Sequence, residues 1–341
     1  MKKLMVCVMA LAMVCGLLTG CAGGKTETPA TPAAQEEVKQ DASKQEEPAQ
    51  EEAAPAGKAD EEDYTTGDAS LDNPRNQDEI GDKELLVVSF GTSFNDSRRE
   101  TIGAIENALE QAFPEWSVRR AFTSQIIIDH VKSRDGEVID NVTEALERAV
   151  NNGVKELLVV PTHLMPGYEY NDIVDEVVSY ADAFEKIKIG APLLLADSDF
   201  DAVADAIVEV TAQYDDGETA IVFMGHGTEA DSNGIYEQMQ GVLDAKGMEN
   251  YFIGTVEAFP AVEDVLAAVQ QGSYKRVVLR PLMVVAGDHA NNDMAGDDED
   301  SWKSIFEAAG YEVDCVLEGL GSMETIQQLY IAHTQESLDE M

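Results

Sequence analysis

The feature that most constrains the fold is a series of short apolar runs, each ending at Gly or Pro, that alternates with helical periodicity and occurs twice along the chain. Such runs are typical of buried parallel strands, and helices between them predict sheets covered on both faces. The first series predicts strands at 85–90, 118–122, 156–160 and 187–195, with helices at 98–113, 138–150 and 172–184. The second predicts strands at 220–224, 251–256, 276–279 and 311–317, with helices at 261–270 and 301–309, the last capped by Asp300.

The two series match in detail beyond their order. Pro161 and Gly167 recur as Pro281 and Gly287, both at a spacing of 120 residues. This predicts a duplicated α/β fold, in which two Rossmann-like halves with parallel sheets surround a central cleft. Ligands of such sheets bind outside the carboxyl ends of the strands. The alternative is that two unrelated α/β units share Gly and Pro at strand ends.

The beginning of the chain carries an export signal. Lys2 and Lys3 precede an apolar run at 4–18, and the sequence Leu-Thr-Gly-Cys then ends at Cys21. This pattern resembles a bacterial lipobox, and it predicts a lipoprotein signal peptide at 1–20, with lipid attached to Cys21 after cleavage. The protein would then be extracytoplasmic and anchored by lipid to the bacterial cell membrane. The alternative is an ordinary secretion signal that ends near a cysteine.

The segment 21–82 is rich in Glu, Ala, Pro, Gln and Lys and poor in aromatic and branched apolar residues. Such a composition buries too little surface to offset chain entropy, so we predict a disordered acidic linker. The two halves of the fold are predicted at 83–215 and 216–341. Cys315 is the one cysteine that follows Cys21, which excludes a disulfide within the folded part.

The net charge of the chain limits the classes of partner that it can bind. The formal net charge is -43 and the sequence pI is about 4.1. Such a chain repels the phosphates of nucleic acids, which excludes DNA and RNA as expected partners. An anionic substrate would need local basic or hydroxyl groups for its binding.

Histidines mark one edge of the predicted fold. His163, His226 and His289 each lie just beyond a predicted strand, whereas His130 and His333 lie elsewhere. A single histidine at a strand end is more often structural than catalytic, but three at one edge favour a functional site. Imidazole nitrogen and carboxylate oxygen are suitable ligands for Co, Fe, Ni or Zn.

The chain resembles the sirohydrochlorin cobaltochelatases of the anaerobic CbiK type, within the ferrochelatase-like class II chelatases. The resemblance extends from about Glu84 to the C-terminal helix and implies the chelatase fold. It also implies insertion of a divalent metal into sirohydrochlorin in cobalamin biosynthesis, a lyase reaction that uses no nucleotide. The segments that carry the resemblance are 89–93, 161–164 with Glu169 and Tyr170, 225–229, 255–257 and 282–296.

In that family two histidines and one glutamate hold the metal, and they correspond here to His226, Glu257 and His289. The resemblance implies Co²⁺ as the metal substrate, with Fe²⁺ and Ni²⁺ left open. His226 and His289 are the predicted catalytic residues. Because histidine accepts protons near neutral pH, one ligand could also remove pyrrole protons. We favour His226, since a glycine on either side lets the macrocycle approach closely.

The duplication predicts which residues face the tetrapyrrole. In register, Phe90 takes the place of His226, Arg120 falls near Glu257, and Glu169 takes the place of His289. The first half would therefore shape the substrate pocket while the second half holds the metal. The predicted substrate-binding residues are Ser89, Phe90, Gly91, Thr92, Ser93, Arg120, His163, Glu169 and Arg280. The alternative for each arginine is an ordinary ion pair, and for His163 a buried structural role.

Other interpretations were weighed against this one. The sequence 225–230 fits a dinucleotide-binding fingerprint, but a poor helix start follows it. The acidic run 297–300 lacks the spacing of an EF-hand loop. A rival function is an extracytoplasmic protein of the same fold that binds a metal, haem or corrinoid without catalysis. The sequence leaves the oligomeric state open, a homo-oligomer included.

Overall fold

The computed structural model describes residues 66–341. The predicted signal peptide, the lipidation site at Cys21 and most of the predicted linker lie outside these residues. Within 66–341, no helix has the length and apolar character needed to cross a membrane. The described residues all fall in one compact unit.

The first half carries five parallel strands in the order β3-β2-β1-β4-β5. Its elements are β1 (Lys83–Ser89), α1 (Asn95–Glu100), α2 (Ile102–Ala112), β2 (Ser117–Phe122), α3 (Gln125–Asp135), β3 (Asp140–Asn141), α4 (Val142–Asn151), β4 (Glu156–Pro161), α5 (Tyr168–Ser179), β5 (Lys186–Ile189) and α6 (Asp197–Thr211).

The second half carries four parallel strands in the order β7-β6-β8-β9. Its elements are β6 (Thr219–Gly225), α7 (Gly234–Ala245), β7 (Tyr251–Thr255), α8 (Val262–Val269), β8 (Arg276–Pro281), α9 (Trp302–Ala308), β9 (Glu312–Cys315) and α10 (Glu324–Asp339). The prediction of two parallel-sheet α/β halves is therefore confirmed. Strands β1, β2, β4 and β5 occupy the same places in the first sheet as β6, β7, β8 and β9 occupy in the second.

The two halves share a continuous hydrophobic core. Val87 on β1 and Phe223 on β6 are fully buried in one cluster, to which Tyr330 on α10 also belongs. Helix α10 packs against α2 and α6 of the first half, so the end of the chain returns to the sheet where the fold began. Burial of this shared surface holds the two sheets in a fixed relation.

The loops that follow the strands bring the carboxyl ends of the two sheets together. The backbone N–H of Ala286, after β8, donates to Ser97 Oγ on α1 at 3.0 Å. Gly167, after β4, lies against Ser232, where an added Cβ would be 3.8 Å from the serine Oγ. Side chains at the carboxyl ends of both sheets therefore line one region between the halves.

Several predicted boundaries are wrong. The linker prediction extends too far, because residues 66–82 are folded onto the first half and bury Asp72 and Arg75. The predicted helix 98–113 is divided into α1 and α2 at Thr101. The predicted strand 187–195 stops at Ile189, shortly before Pro192, which has no N–H to donate to a neighbouring strand.

The helices α3, α6 and α7 were absent from the sequence prediction. For α6 a signal exists, because the Asp199 carboxylate accepts hydrogen bonds from the N–H groups of Leu195 and Ala196 and closes the first turn. The predicted cap of α9 is also wrong by one residue: Ser301, rather than Asp300, accepts the hydrogen bond from the Ser304 N–H.

Candidate metal centre

His226 directly follows β6 in a loop that only glycine permits. Gly227 has a φ of +91°, and a Cβ there would lie 2.8 Å from the backbone nitrogen of Ala258. The Tyr236 hydroxyl accepts a hydrogen bond from the Gly227 N–H at 3.2 Å. The His226 Nδ1 lies 2.8 Å from the Gly227 carbonyl oxygen. Since this oxygen can only accept, Nδ1 carries the proton and Nε2 presents a lone pair.

His289 lies in the loop after β8, at the start of a π-helical turn over Ala290–Met294. Its Nδ1 is 2.7 Å from Asp293 Oδ2, one helical turn further along the chain. The hydrogen bond to Asp293 raises the pKa of His289, while burial opposes this rise and the charges of Asp293, Glu257 and Asp288 add to it. The contact also directs Nε2 outward, as a carboxylate commonly does for a metal-binding histidine.

Glu257 completes the group two residues after β7. Its backbone N–H donates to the His226 carbonyl oxygen at 2.9 Å, which fixes the two strand ends relative to each other. Its Oε2 lies 3.7 Å from His226 Nε2. The ring centroids of His226 and His289 are 4.7 Å apart, with the rings nearly perpendicular.

One ligand atom from each of His226, Glu257 and His289 lies within 4.8 Å of the other two. Ligands bound to one ion at 2.0–2.2 Å are at most about 4.4 Å apart, so a small inward movement completes the coordination. The exposed fractions of these side chains are 39%, 46% and 30%, in the same order. The site is thus open on one side and offers three ligands with free coordination positions. This is the arrangement expected of a centre that releases its metal.

The loop after β1 exposes only some of the predicted substrate-binding side chains. Phe90 is 48% exposed, whereas Ser89 and Thr92 are buried. Ser89 Oγ accepts a hydrogen bond from Thr162 Oγ1 at 2.7 Å, and this contact is buried. Gly91 has a φ of +104° and leaves no room for a Cβ above the Phe122 ring. The side chains of Ser89 and Thr92 thus face the interior in this structure, and Phe90 is the exposed side chain of the predicted set at this loop.

His163 and Glu169 form a pair at the carboxyl end of β4. His163 Nε2 and Glu169 Oε2 are 3.2 Å apart, with 9% and 36% of their side chains exposed. The Nδ1 atom of His163 is buried and has no hydrogen-bond partner within the described part of the chain. His163 is outside the cluster of metal-binding groups, and Glu169 lies as far beyond Pro161 as His289 lies beyond Pro281.

The predicted roles of the two arginines are not supported. Arg120 is fully buried, where it binds Glu106 at 2.7 Å and Asp72 at 2.6 Å. Arg280 is 2% exposed and pairs with Glu318 at 2.9 Å. It lines a cavity of about 770 Å³ between the ends of α6 and α10, which none of the three metal-binding groups lines. Both arginines are ion-paired within the protein, the alternative that the sequence left open.

Sequence reasoning missed Asp293 and Tyr236, which orient the two histidines. Asp293 could have been found from the sequence, because it lies four residues after His289 and so on the same face of a helical turn. Tyr236 lies ten residues after His226 and reaches the loop through the backbone of His226 and Gly227. Its contact depends on how α7 packs against the strand end, which no local pattern reveals.

Substitution of Asp293 by Ala is expected to weaken Co²⁺ binding about 10–100-fold at neutral pH, because the imidazole of His289 loses the group that orients it. Protons compete with Co²⁺ for Nε2, and Asp293 raises the pKa of this histidine. On acidification, wild-type affinity should therefore begin to fall at a higher pH than that of Asp293→Ala. Titrations with Co²⁺ across a pH series measure both effects.

The matched control is Asp297→Ala, which removes a nearby exposed carboxylate paired with Lys303. It should leave the Co²⁺ affinity within about twofold of wild type. Equal losses in the two variants would mean that general surface charge, and not the orientation of His289, determines the affinity.

Comparison with known proteins agrees with the fold. The family model described as cobalt chelatase (CbiK) matches residues 83–339. A sirohydrochlorin cobaltochelatase of Salmonella typhimurium is 36% identical over 257 residues, which cover 75% of this chain and 97% of the relative. The sirohydrochlorin cobaltochelatase CbiKC of Nitratidesulfovibrio vulgaris is 32% identical, over 74% of this chain and 89% of the relative.

Among solved structures, SirB from Bacillus subtilis with Fe³⁺ aligns with a TM-score of 0.53 over 75% of this chain and 96% of its own. At 13% sequence identity this likeness concerns the fold alone. Two parallel sheets with an open centre of two histidines and a glutamate define a metal-handling α/β protein of the chelatase fold. The extent of the family match then shows that the chain belongs to the cobalt chelatase (CbiK) family.

Proposed function

We propose that this protein inserts a divalent metal, with Co²⁺ as the first candidate, into sirohydrochlorin, in a reaction of cobalamin biosynthesis that uses no nucleotide. One observation carries the proposal: His226, Glu257 and His289 converge to within 4.8 Å although they are far apart along the chain. Two imidazoles and one carboxylate bind Co²⁺, Fe²⁺ and Ni²⁺ alike, so the donor set alone leaves the choice of metal open.

The geometry supports a route for the exchange of metal and protons. In His226 and in His289 the Nδ1 atom is engaged in a hydrogen bond, which leaves Nε2 of each ring available for the metal. As pyrrole nitrogens take over the metal, Nε2 of His226 is released. Its lone pair can then accept a proton from a pyrrole N–H, whose bonding electrons stay on the nitrogen that binds the metal. Insertion thus releases two pyrrole protons, of which His226 accepts one and solvent water at the exposed site takes the other.

The first half supplies the opposite wall of the substrate site in this proposal. Phe90 offers an exposed aromatic face to the macrocycle. The pair of His163 and Glu169 lies in the half that holds no proposed metal ligand, and it offers a polar contact. Within the pair, Glu169 occupies the position equivalent to His289. Ser93 and the backbone of Gly91 belong to the same loop as Phe90. The macrocycle would lie between this wall and the metal centre.

Multiple turnover is the test that separates this function from the rival one. The purified protein, incubated with excess sirohydrochlorin and Co²⁺ without ATP, should form several equivalents of metallated product, followed by absorbance. A protein that only binds metal, haem or corrinoid would yield at most one equivalent, and that result would reject the proposal. Parallel reactions with Fe²⁺ and Ni²⁺ rank the metals.

We also propose that the protein is a lipoprotein outside the cytoplasm, on the strength of the lipobox that ends at Cys21. Expression of the full chain in bacteria with labelled palmitate should label wild type, and Cys21→Ser should lose the label and leave the membrane fraction. Cys315→Ser is the matched control and should stay labelled. An unlabelled wild type would contradict the proposal.

A further inference from the structure

Residues 66–82, which we call the N-terminal strap, precede the family match at 83–339 and yet are folded against the first half. Strand β3 pairs only with Ala121 and Phe122 and leaves the rest of the β2 edge uncovered. The strap covers it: the Arg75 carbonyl oxygen accepts from the Arg120 N–H at 3.1 Å, and Gln77 Nε2 donates to a further carbonyl of β2. The strap thereby closes the open edge of the sheet.

The strap also places a carboxylate inside the protein. Asp72, 3% exposed, accepts hydrogen bonds from Arg98 Nε at 2.7 Å and from Arg120 Nη1 and Nη2 at 2.6 and 3.1 Å. Burial alone would raise the pKa of Asp72, but the contacts with Arg120 and Arg98 outweigh it and hold the pKa below its usual value. The group is therefore a buried anion shared by two arginines.

Arg98 extends this contact to the substrate side of the proposed site. Its Nη1 donates to the carbonyl oxygen of Thr92 at 3.3 Å, in the loop between β1 and α1. The strap also contacts the first turn of α1, directly after this loop, because the Asp96 N–H donates to the Thr66 carbonyl oxygen at 2.7 Å. Two separate points of the strap thus hold the backbone around residues 92–96.

The far side of this loop faces the segment that carries a metal-binding group. Gly287 packs against Thr92, so that an added Cβ would be 3.4 Å from Thr92 Oγ1. The neighbouring Ala286 N–H donates to Ser97 Oγ at 3.0 Å. His289 lies two residues after Gly287. A continuous set of contacts therefore runs from Asp72 through Arg98 to the boundary between the two halves at the mouth of the site.

We propose that Asp72 is a positioning residue for the tetrapyrrole: through Arg98 it fixes the loop 90–94 against residues 286–287 and so sets the shape of the substrate side of the cleft. This inference rests on the proposed function. The strap would thus be a part of the binding site that the family-matched region does not contain. Asp72 itself contacts no substrate, and Arg98 keeps a second carboxylate partner in Glu137 at 3.0 Å.

The test is Asp72→Asn in the full chain, a change that keeps the size of the side chain and removes its charge. The KM for sirohydrochlorin should rise roughly 3- to 30-fold, the usual range for residues that act through a network. The Co²⁺ affinity should stay within about twofold, since Asp72 makes no contact with the metal-binding groups. Arg98→Lys should raise the KM similarly, because lysine cannot bridge Asp72 and the Thr92 carbonyl as the planar guanidinium does.

Asp140→Asn is the matched control. Asp140 is also 3% exposed and binds a fully buried arginine, Arg119, at 2.9 Å, but this pair makes no contact with the loop 90–94. Both aspartate variants should lower the thermal midpoint, and only Asp72→Asn should raise the KM. A wild-type KM in Asp72→Asn, or an equal rise in Asp140→Asn, would overturn the proposal.

Equilibrium binding of sirohydrochlorin, measured by its fluorescence, tests the positioning role of Asp72 separately from the proposed metal insertion. If the wild type binds the macrocycle but does not turn over, the proposed function fails, and Asp72 is then judged on the dissociation constant alone. If Asp72→Asn does not fold, Arg98→Lys and hydrogen exchange at the amides of residues 92–96 decide. Exchange in Arg98→Lys as slow as in the wild type, with unchanged affinity, would reject the positioning role.

Discussion

His226→Ala is expected to lower the rate of cobalt insertion by about 10²–10⁴-fold, the range typical for loss of a residue that transfers a proton. The variant loses a metal ligand and the proposed proton acceptor together. His289→Ala should show a comparable loss, and the double variant should be little worse than either single one, because residues that act as a unit are not additive. Initial rates with saturating sirohydrochlorin and varied Co²⁺ measure these effects.

His130→Ala serves as the control for this series. His130 is on α3 of the first half, outside the group formed by His226, Glu257 and His289. It should retain the wild-type rate and Co²⁺ affinity. If His226→Ala and His289→Ala both kept wild-type rates, the three side chains would not be the metal centre, despite their convergence.

Arg120→Ala is expected to lower the free energy of unfolding by up to about 3–5 kcal/mol, because two buried carboxylates each lose a charged partner. Among the described residues, Asp72 then keeps only Arg98, and Glu106 keeps only Arg75. Arg120 is fully buried, and its guanidinium binds Glu106 and Asp72. Its main effect should therefore be on stability, in contrast to the substrate-binding role that its position in the sequence suggested. Urea or thermal unfolding monitored by circular dichroism measures the loss.

A second substitution tests the physical cause. In Arg120→Ala, Glu106 keeps the more distant Arg75, at 3.3 Å. Adding Glu106→Gln removes this weakly compensated buried charge and should recover part of the lost stability. Glu110→Gln is the control for this rescue, since Glu110 is largely exposed and pairs with Arg75 instead. Normal stability of Arg120→Ala, combined with weak sirohydrochlorin binding, would restore the original interpretation of this arginine.

Burial and pairing explain why the three predicted metal ligands converge in the structure while the predicted substrate-binding arginines are buried and ion-paired. His226, Glu257 and His289 each follow a strand end, and in a parallel sheet those ends share one edge, so their proximity follows from the order of elements. Arg120 precedes the end of its strand, where its partner Asp72 lies 48 residues earlier in the chain. No local pattern identifies a partner at such a distance.

The boundary between the predicted linker and the folded residues also depends on tertiary contacts. The composition of 21–82 predicts disorder as an average, but Asp72 and Arg75 near its end are buried by contacts with α1, α2 and β2. The charged side chains of Asp72 and Arg75 increase the average polarity of this segment, and they therefore favour the prediction of a disordered linker. Once paired with opposite charges they become interior residues, which a measure of average polarity cannot detect.

Periodicity and spacing in the amino-acid sequence were enough to predict the alternation of strands and helices, the duplication of the α/β unit and the strand-end positions of His226 and His289. These properties depend on periodicity and spacing along the chain, which are local. The tertiary structure alone decided which polar side chains are interior, how Asp293 and Tyr236 orient the histidines, and that residues 66–82 belong to the fold. These depend on partners brought together by packing, and the energy of a charged or polar group is set by those partners.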